Sequence, residues 1–120
     1  MRLVVADNDR DFLELLTLEL SLEQHDVVAA VLDGEGAVAA CAAHQPDVLV
    51  VDFRMPPGLD GLQTIEAVQA VAPRTVCLLH SNYRSAEMQQ RARQLGARFV
   101  PKSTLKALRV ALAEAAPSTR

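Results

Sequence analysis

Polar and charged side chains follow several short apolar runs in this chain. They are Asp7, Asn8 and Asp9 after the first run, Asp52 after the third, His80, Ser81 and Asn82 after the fourth, and Lys102 after the fifth. If the runs are parallel strands, these groups meet at one edge, because ligand sites of open parallel sheets lie at the carboxyl ends of the strands. The spacing therefore predicts one shared polar site.

These residue types favour phosphoryl chemistry on an aspartate. Carboxylates held close together repel each other and call for a cation, and hard oxygen ligands favour Mg²⁺. The ammonium of Lys102 is a point charge suited to a phosphoryl group. A carboxylate beside a divalent cation can attack phosphorus and form an acyl phosphate. Any one of these aspartates alone is typical of a helix cap or turn. The interpretation therefore depends on finding groups suited to the same chemistry at several strand ends.

The elements that would position these groups alternate along the chain. Short apolar runs alternate with segments of helical periodicity, which indicates βα units and a parallel sheet. The predicted strands are residues 3–6, 26–32, 48–51, 76–79 and 98–100, and the predicted helices are residues 11–22, 34–44, 62–71, 85–95 and 104–115. The fold class is therefore α/β, with a five-stranded parallel sheet in a three-layer α/β/α sandwich. Residues 1–116 form one domain, and residues 117–120 are a tail or the start of a linker.

The first and last predicted helices have apolar positions for the core. Asp9 is available to cap the first helix. The apolar positions are Phe12, Leu15, Leu16 and Leu20 in the first helix, and Leu105, Leu108, Val110 and Leu112 in the last. We expect these faces to lie against the sheet.

Composition excludes several classes of function. The formal net charge of −3 and the lack of a Lys/Arg run argue against nucleic-acid binding by this domain and against an anionic membrane surface. Aromatic content of 3% provides no base-stacking platform. The two cysteines, Cys41 and Cys77, form neither a disulfide framework nor a zinc motif. No apolar run is long enough for a signal peptide or a membrane span, so a cytoplasmic location is expected.

Three segments carry a resemblance to a known family. They are Pro46-Asp47-Val48-Leu49-Val50-Val51-Asp52-Phe53-Arg54-Met55-Pro56 with the later Leu59-Asp60-Gly61-Leu62, the pair Asp7-Asn8, and the stretch from Gly96-Ala97 to Lys102. Over roughly residues 2–115, and in the family's order of elements, the chain resembles the receiver domains of response regulators in two-component signalling. The resemblance implies a flavodoxin-like (βα)5 fold.

The resemblance also implies roles for particular residues. Asp52 would be the phosphoacceptor, and the Mg²⁺ cofactor would bind Asp7, Asn8, Asp52 and the main-chain carbonyl of Arg54. Lys102 would contact the phosphoryl group, together with His80 or Ser81. Phe99 would be the switch aromatic, coupled to the residue at position 80.

The resemblance implies partners as well. The phosphoryl donor would be a sensor histidine kinase or a phosphotransfer protein, and the face built from the fourth helix, fifth strand and fifth helix could form a homodimer. The domain would be a signalling phosphoprotein and not an enzyme, since it would catalyse only its own phosphoryl transfer and dephosphorylation.

The sequence departs from the family pattern at four places. Asn8 stands at an acidic metal-binding position and brings no charge. His80 aligns with the family's Thr/Ser, and Ser81 would take that place only after a one-residue slip of the strand. Pro101 removes a ladder donor, so the fifth strand must end there or lie at an edge. Pro101 belongs to the third departure, the interval from Gly96 to Lys102, which is one residue shorter than usual. The fourth is the loop containing Pro56-Pro57-Gly58, which is one residue longer than usual.

Two other functions remain open from the sequence. Asn8 and His80 motivate one of them, an atypical receiver that acts as an interaction or dimerisation module without phosphorylation. An aspartate-nucleophile phosphohydrolase uses similar groups in a different chain order. The segment Gly34-Glu35-Gly36-Ala37-Val38-Ala39 also matches a G-x-G-x-x-A dinucleotide fingerprint, but a tight turn with close helix–sheet packing explains it better in so short a chain.

Overall fold

Five strands alternate with five helices in the described part of the protein. The structure is a computed structural model that describes residues 1–116, so the predicted tail at 117–120 lies outside the described residues. The elements are β1 (Arg2–Ala6), α1 (Arg10–Leu22), β2 (Asp26–Val31), α2 (Gly34–His44), β3 (Val48–Val51), α3 (Gly61–Val71), β4 (Val76–Ser81), α4 (Ala86–Gln94), β5 (Arg98–Pro101) and α5 (Leu105–Ala115). The predicted alternation of strands and helices is confirmed.

All five strands are parallel and lie in the order β2-β1-β3-β4-β5. The carboxyl ends of the strands therefore meet at one edge of the sheet, as the sequence predicted. The chain order changes direction between β1 and β3, and ligand sites of such sheets lie outside this point. Asp7 and Asp52 follow these two adjacent strands directly.

Helices cover both faces of the sheet. The core on one face contains buried residues of α1 and α5, and the core on the other contains buried residues of α2, α3 and α4. Residues of β3 alternate between the two cores, with Val48 and Val50 in the first and Leu49 and Val51 in the second. Burial on both faces explains why the strands are continuous apolar runs.

Each helix begins after a polar residue whose side chain accepts a hydrogen bond from a main-chain N–H of the first turn. The caps are Asp9, Asp33, Asp60, Ser85 and Thr104. Asp9 was predicted as a cap. Ser85 and Thr104 were predicted inside their helices, and they lie outside because a capping residue has extended backbone angles.

The predicted core face of α1 is partly wrong. Leu13, Leu16 and Leu20 are buried, whereas Leu15 is 56% exposed. In α5, Ala111 is buried and Val110 is 43% exposed. Leucines occupy both flanks of α1, so periodicity alone did not identify the side that packs on the sheet.

The strands β4 and β5 are longer than predicted. His80 and Ser81 belong to β4 and pair with Val100 and Pro101 of β5. The expectation for Pro101 is confirmed, because β5 ends at this residue and is also an edge strand. β2 ends at Val31, one residue earlier than predicted. Among the described residues, no helix is both long and apolar enough to cross a membrane.

The glycine at the start of α2 is required by close packing. A Cβ atom on Gly34 would lie 2.3 Å from Thr64 Oγ1 and 2.8 Å from Leu59 Cβ. Thr64 lies in the first turns of α3, and Leu59 lies in the loop before that helix. This contact agrees with the packing interpretation of the glycine-rich turn.

We therefore predict that Gly34→Ala destabilises the protein by about 1–3 kcal/mol, because the added methyl group overpacks this contact. The measurement is urea denaturation. The control is Ala43→Ser at an exposed position of the same helix, which should change the free energy of unfolding by no more than about 0.5 kcal/mol. Equal unfolding midpoints for the two variants would contradict the packing account.

Candidate functional site

Two carboxylates and one ammonium meet at the carboxyl edge of the sheet. Lys102 Nζ lies 2.6 Å from Asp7 Oδ2 and 3.3 Å from Asp52 Oδ2. Lys102 follows β5, so three different strands deliver these groups. All three side chains are largely buried, with Lys102 11% exposed. The structure thus brings together three of the residues that the sequence predicted to converge.

Main-chain hydrogen bonds orient the two carboxylates. Asp7 Oδ1 accepts a hydrogen bond from the N–H of Asp9 at 2.9 Å, in the turn that leads into α1. Asp52 Oδ1 accepts one from the N–H of Phe53 at 2.8 Å. Each aspartate therefore has one oxygen held by the backbone, and its other oxygen faces Lys102 Nζ.

The site carries more negative than positive charge. Burial raises the pKa of Asp52 above its ordinary value, and the nearby charge of Asp7 raises it further. The attraction of Lys102 and the hydrogen bonds from Lys102 and the Phe53 N–H oppose this rise. One ammonium does not balance two carboxylates, so the site favours an additional cation.

The donor set fits Mg²⁺ better than a metal that needs a full cage of protein side chains. Among residues 1–116, no group of three or more His, Cys, Asp or Glu side chains is arranged to hold a metal ion. A cation here would bind the two carboxylates and complete its shell with amide or main-chain oxygens and water. Mg²⁺ is commonly bound in this way. Asn8 follows Asp7 directly in the sequence, and Arg54 is two residues after Asp52. The side chains of both residues are exposed.

His80 and Ser81 lie on opposite faces of the sheet. The ring of His80 is buried on the face of α1 and α5, where its centroid lies 6.0 Å from that of Phe12. Strand alternation places Ser81 on the other face, with Leu79. The hydroxyl of Ser81 accepts a hydrogen bond from the Tyr83 N–H at 3.0 Å.

This arrangement bears on which residue takes the family's Thr/Ser position. Phe99 packs against the α2–α4 core, which is the face of Ser81 and not of His80. Burial lowers the pKa of His80 to about 4, and the charge of Lys102 lowers it in the same direction. His80 is therefore neutral near pH 7. The strand β4 is apolar on both faces, so its sequence pattern did not reveal that Ser81, and not His80, shares the face of Phe99.

Two aromatic residues near the site were missed from the sequence. Lys102 Nζ lies 4.7 Å from the centroid of the Phe12 ring, although Phe12 was assigned only to the core. Tyr83 stacks on Phe53 with 5.3 Å between centroids, and the Arg54 guanidinium lies 4.1 Å from the Tyr83 centroid. Tyr83 lies in a loop, where no periodicity marks a contact.

Residues 3–113 match the family described as the response regulator receiver domain. This chain belongs to that family. Its receiver fold is similar to that of the signal receiver domain of the putative response regulator NarL from Mycobacterium tuberculosis. The two have a TM-score of 0.86 and 35% identity, over 95% of this chain and 94% of that one. A chain in the CheX–CheY–BeF3–Mg complex from Borrelia burgdorferi has the same fold, with a TM-score of 0.87 and 19% identity over 98% of this chain and 90% of that one.

Curated relatives that contain a receiver domain are longer than this chain. The probable transcriptional regulatory protein NarL of M. tuberculosis is 36% identical over 106 residues, which are 87% of this chain and 49% of the relative. A protein-glutamate methylesterase/protein-glutamine glutaminase of Haloarcula marismortui is 37% identical over 82 residues, which are 68% of this chain and 22% of the relative. The chain thus spans half or less of these relatives.

We predict that Asp52→Asn stabilises the receiver domain by about 0.5–2 kcal/mol at pH 7, because it removes a buried charge beside Asp7. The pKa of Asp52 is higher in the folded state than in the unfolded chain. Stability of the wild type therefore falls as the pH rises from the ordinary carboxyl value through the raised one, and the variant lacks this fall.

The measurement is the free energy of unfolding of both proteins between pH 3 and pH 8 without divalent cations. Asp26→Asn, at an exposed position, is the control. An Asp52→Asn protein that is less stable than the wild type at pH 7 would show that the attraction of Lys102 exceeds the cost of burial.

Proposed function

We propose that this receiver domain accepts a phosphoryl group on Asp52 from a phosphohistidine of a sensor kinase or phosphotransfer protein. The observation that supports the proposal is the position of Lys102 Nζ, within 3.3 Å of oxygens of both Asp7 and Asp52. A buried ammonium beside a carboxylate nucleophile can stabilise negative charge on a transferred phosphoryl group.

The transfer exchanges one bond to phosphorus for another. Asp52 Oδ2, the oxygen that faces Lys102, attacks phosphorus, the P–N bond to the donor imidazole breaks, and that nitrogen keeps the electron pair. The raised pKa of Asp52 also makes its carboxylate a better nucleophile than an ordinary one. Lys102 then exchanges its contact with Asp52 for one with a phosphoryl oxygen.

The proposed cofactor is Mg²⁺. Asp7 and Asp52 would hold it, with the Asn8 amide oxygen and the Arg54 main-chain carbonyl as the remaining protein ligands. When bound, the ion supplies positive charge to the phosphoryl oxygens. The domain would act as a signalling phosphoprotein and not as a catalyst for other substrates, and its expected compartment is the cytoplasm.

Phosphorylation would change a protein-interaction surface. The added charge at the sheet edge would attract the hydroxyl of Ser81, and Phe99 lies on the same face of the sheet. We favour Ser81 over His80 for this contact, because the ring of His80 faces Phe12. The surface proposed to respond is formed by α4, β5 and α5, which could bind a partner protein or a second copy of the chain.

The second candidate function is an interaction module that works without phosphorylation. It is favoured by Asn8, which brings no charge to the metal position, and by the 2.6 Å contact through which Lys102 already neutralises Asp7. A module of this kind would bind no Mg²⁺ at millimolar concentration. It would form the same complexes before and after treatment with a phosphodonor.

We predict that acetyl phosphate with Mg²⁺ adds one phosphoryl group to the wild type and none to Asp52→Asn. Intact-protein mass spectrometry measures the product. Asp33→Asn is a matched control at the same edge of the sheet, because an asparagine side chain can still cap α2 there. Labelling of Asp52→Asn at the wild-type level would remove the proposal, and an unlabelled wild type would favour the interaction module.

We further predict that Asn8→Asp increases the affinity for Mg²⁺ by roughly tenfold, because a carboxylate adds charge at a ligand position. Isothermal titration calorimetry measures the affinity. The control Asn82→Asp adds the same charge at the end of β4, on the same edge of the sheet. Equal gains in the two variants would show that Asn8 is not a ligand.

A further inference from the structure

Lys102 has a third neighbour besides the two carboxylates. Its Nζ lies 4.7 Å from the centroid of the Phe12 ring, in the first turn of α1. A lysine ammonium over an aromatic face is attracted by the ring's negative quadrupole, more strongly when the pair is shielded from water. The side chain of Lys102 is only 11% exposed, so this pair is largely shielded.

The Phe12 ring is itself supported from the sheet. Its centroid lies 6.0 Å from that of His80, at an interplanar angle of 34°. His80 is 3% exposed and belongs to β4, so the ring rests on a rigid element. His80, Phe12 and Lys102 therefore lie next to one another in this order, and Lys102 ends at the two carboxylates.

A cavity beside these three side chains offers Lys102 an alternative position. Its volume is about 210 Å³, and its lining includes Phe12, Leu15, His80, Lys102 and Leu105. Lysine has a long flexible side chain that loses much rotamer freedom when it is fixed. An ammonium free to enter this space would spend less time against Asp7 and Asp52.

We propose that Phe12 is a positioning residue for the phosphoryl chemistry, and that its ring face holds the Lys102 ammonium against the two carboxylates. The proposal rests on the proposed function of Asp52 as phosphoacceptor. An aliphatic side chain at position 12 would fill the same space but has no quadrupole to attract the ammonium. Preorganised charge of this kind lowers the barrier because it needs no reorganisation during the reaction.

The kinetic test compares Phe12→Leu, Phe12→Tyr and Leu15→Ala in the full chain. The rate of Asp52 phosphorylation by acetyl phosphate with Mg²⁺ should fall roughly three- to tenfold in Phe12→Leu and change by less than about twofold in Phe12→Tyr, which keeps the aromatic face. Leu15 lines the same cavity and is half-exposed, so Leu15→Ala should keep the wild-type rate.

A second readout does not depend on phosphorylation. In the wild type, the Phe12 ring current should move the ε-methylene protons of Lys102 upfield of their position in an unfolded peptide. The shift should persist in Phe12→Tyr and Leu15→Ala and disappear in Phe12→Leu. If Phe12→Leu fails to fold, the wild type alone still tests the contact, and Phe12→Tyr tests whether an aromatic face at this position keeps both the shift and the phosphorylation rate.

The outcomes separate the two proposals. A wild type that shows the ring-current shift but is not labelled would overturn the phosphoacceptor function, while Lys102 would still be held by Phe12. A labelled wild type with Lys102 protons at unshifted positions would overturn the role of Phe12. Equal labelling rates in the wild type and a folded Phe12→Leu protein would also overturn it.

Discussion

The ammonium of Lys102 between two buried carboxylates is the interaction on which the site depends. Without it, Asp7 and Asp52 would face each other as uncompensated charges at the end of the sheet. With it, the site still has one negative charge in excess, because one ammonium stands against two carboxylates. The same imbalance that costs stability also favours the binding of a cation at the site.

The fold provides this interaction through strand order. β1 and β3 are neighbours in the sheet, so the aspartates that follow them are adjacent in space although they are far apart in the sequence. Lys102 arrives from β5, two strands away from β3, and its long side chain spans that distance. Main-chain N–H groups of Asp9 and Phe53 hold the aspartates, so the start of α1 and the loop after β3 are parts of the site.

Much of this arrangement could be predicted from the sequence, because continuous apolar strands and polar strand ends leave few alternatives to a parallel sheet. The convergence of Asp7, Asp52 and Lys102 followed from that sheet. The sequence could not assign His80 and Ser81 to faces of the sheet. Because β4 is buried on both sides, its apolar residues do not alternate with polar ones, and no pattern distinguishes the two faces. It also could not identify Phe12 as a neighbour of Lys102, because an aromatic residue on a helix is equally typical of the core.

The most direct test of the account is a structure of the chain determined with Mg²⁺ and beryllofluoride, a mimic of the phosphoryl group. The account predicts a beryllofluoride adduct on Asp52, with Lys102 Nζ within about 3.2 Å of one of its fluorine atoms and the cation bound to Asp7. A structure without an adduct on Asp52, or one in which Lys102 Nζ contacts Asp7 alone, would contradict it.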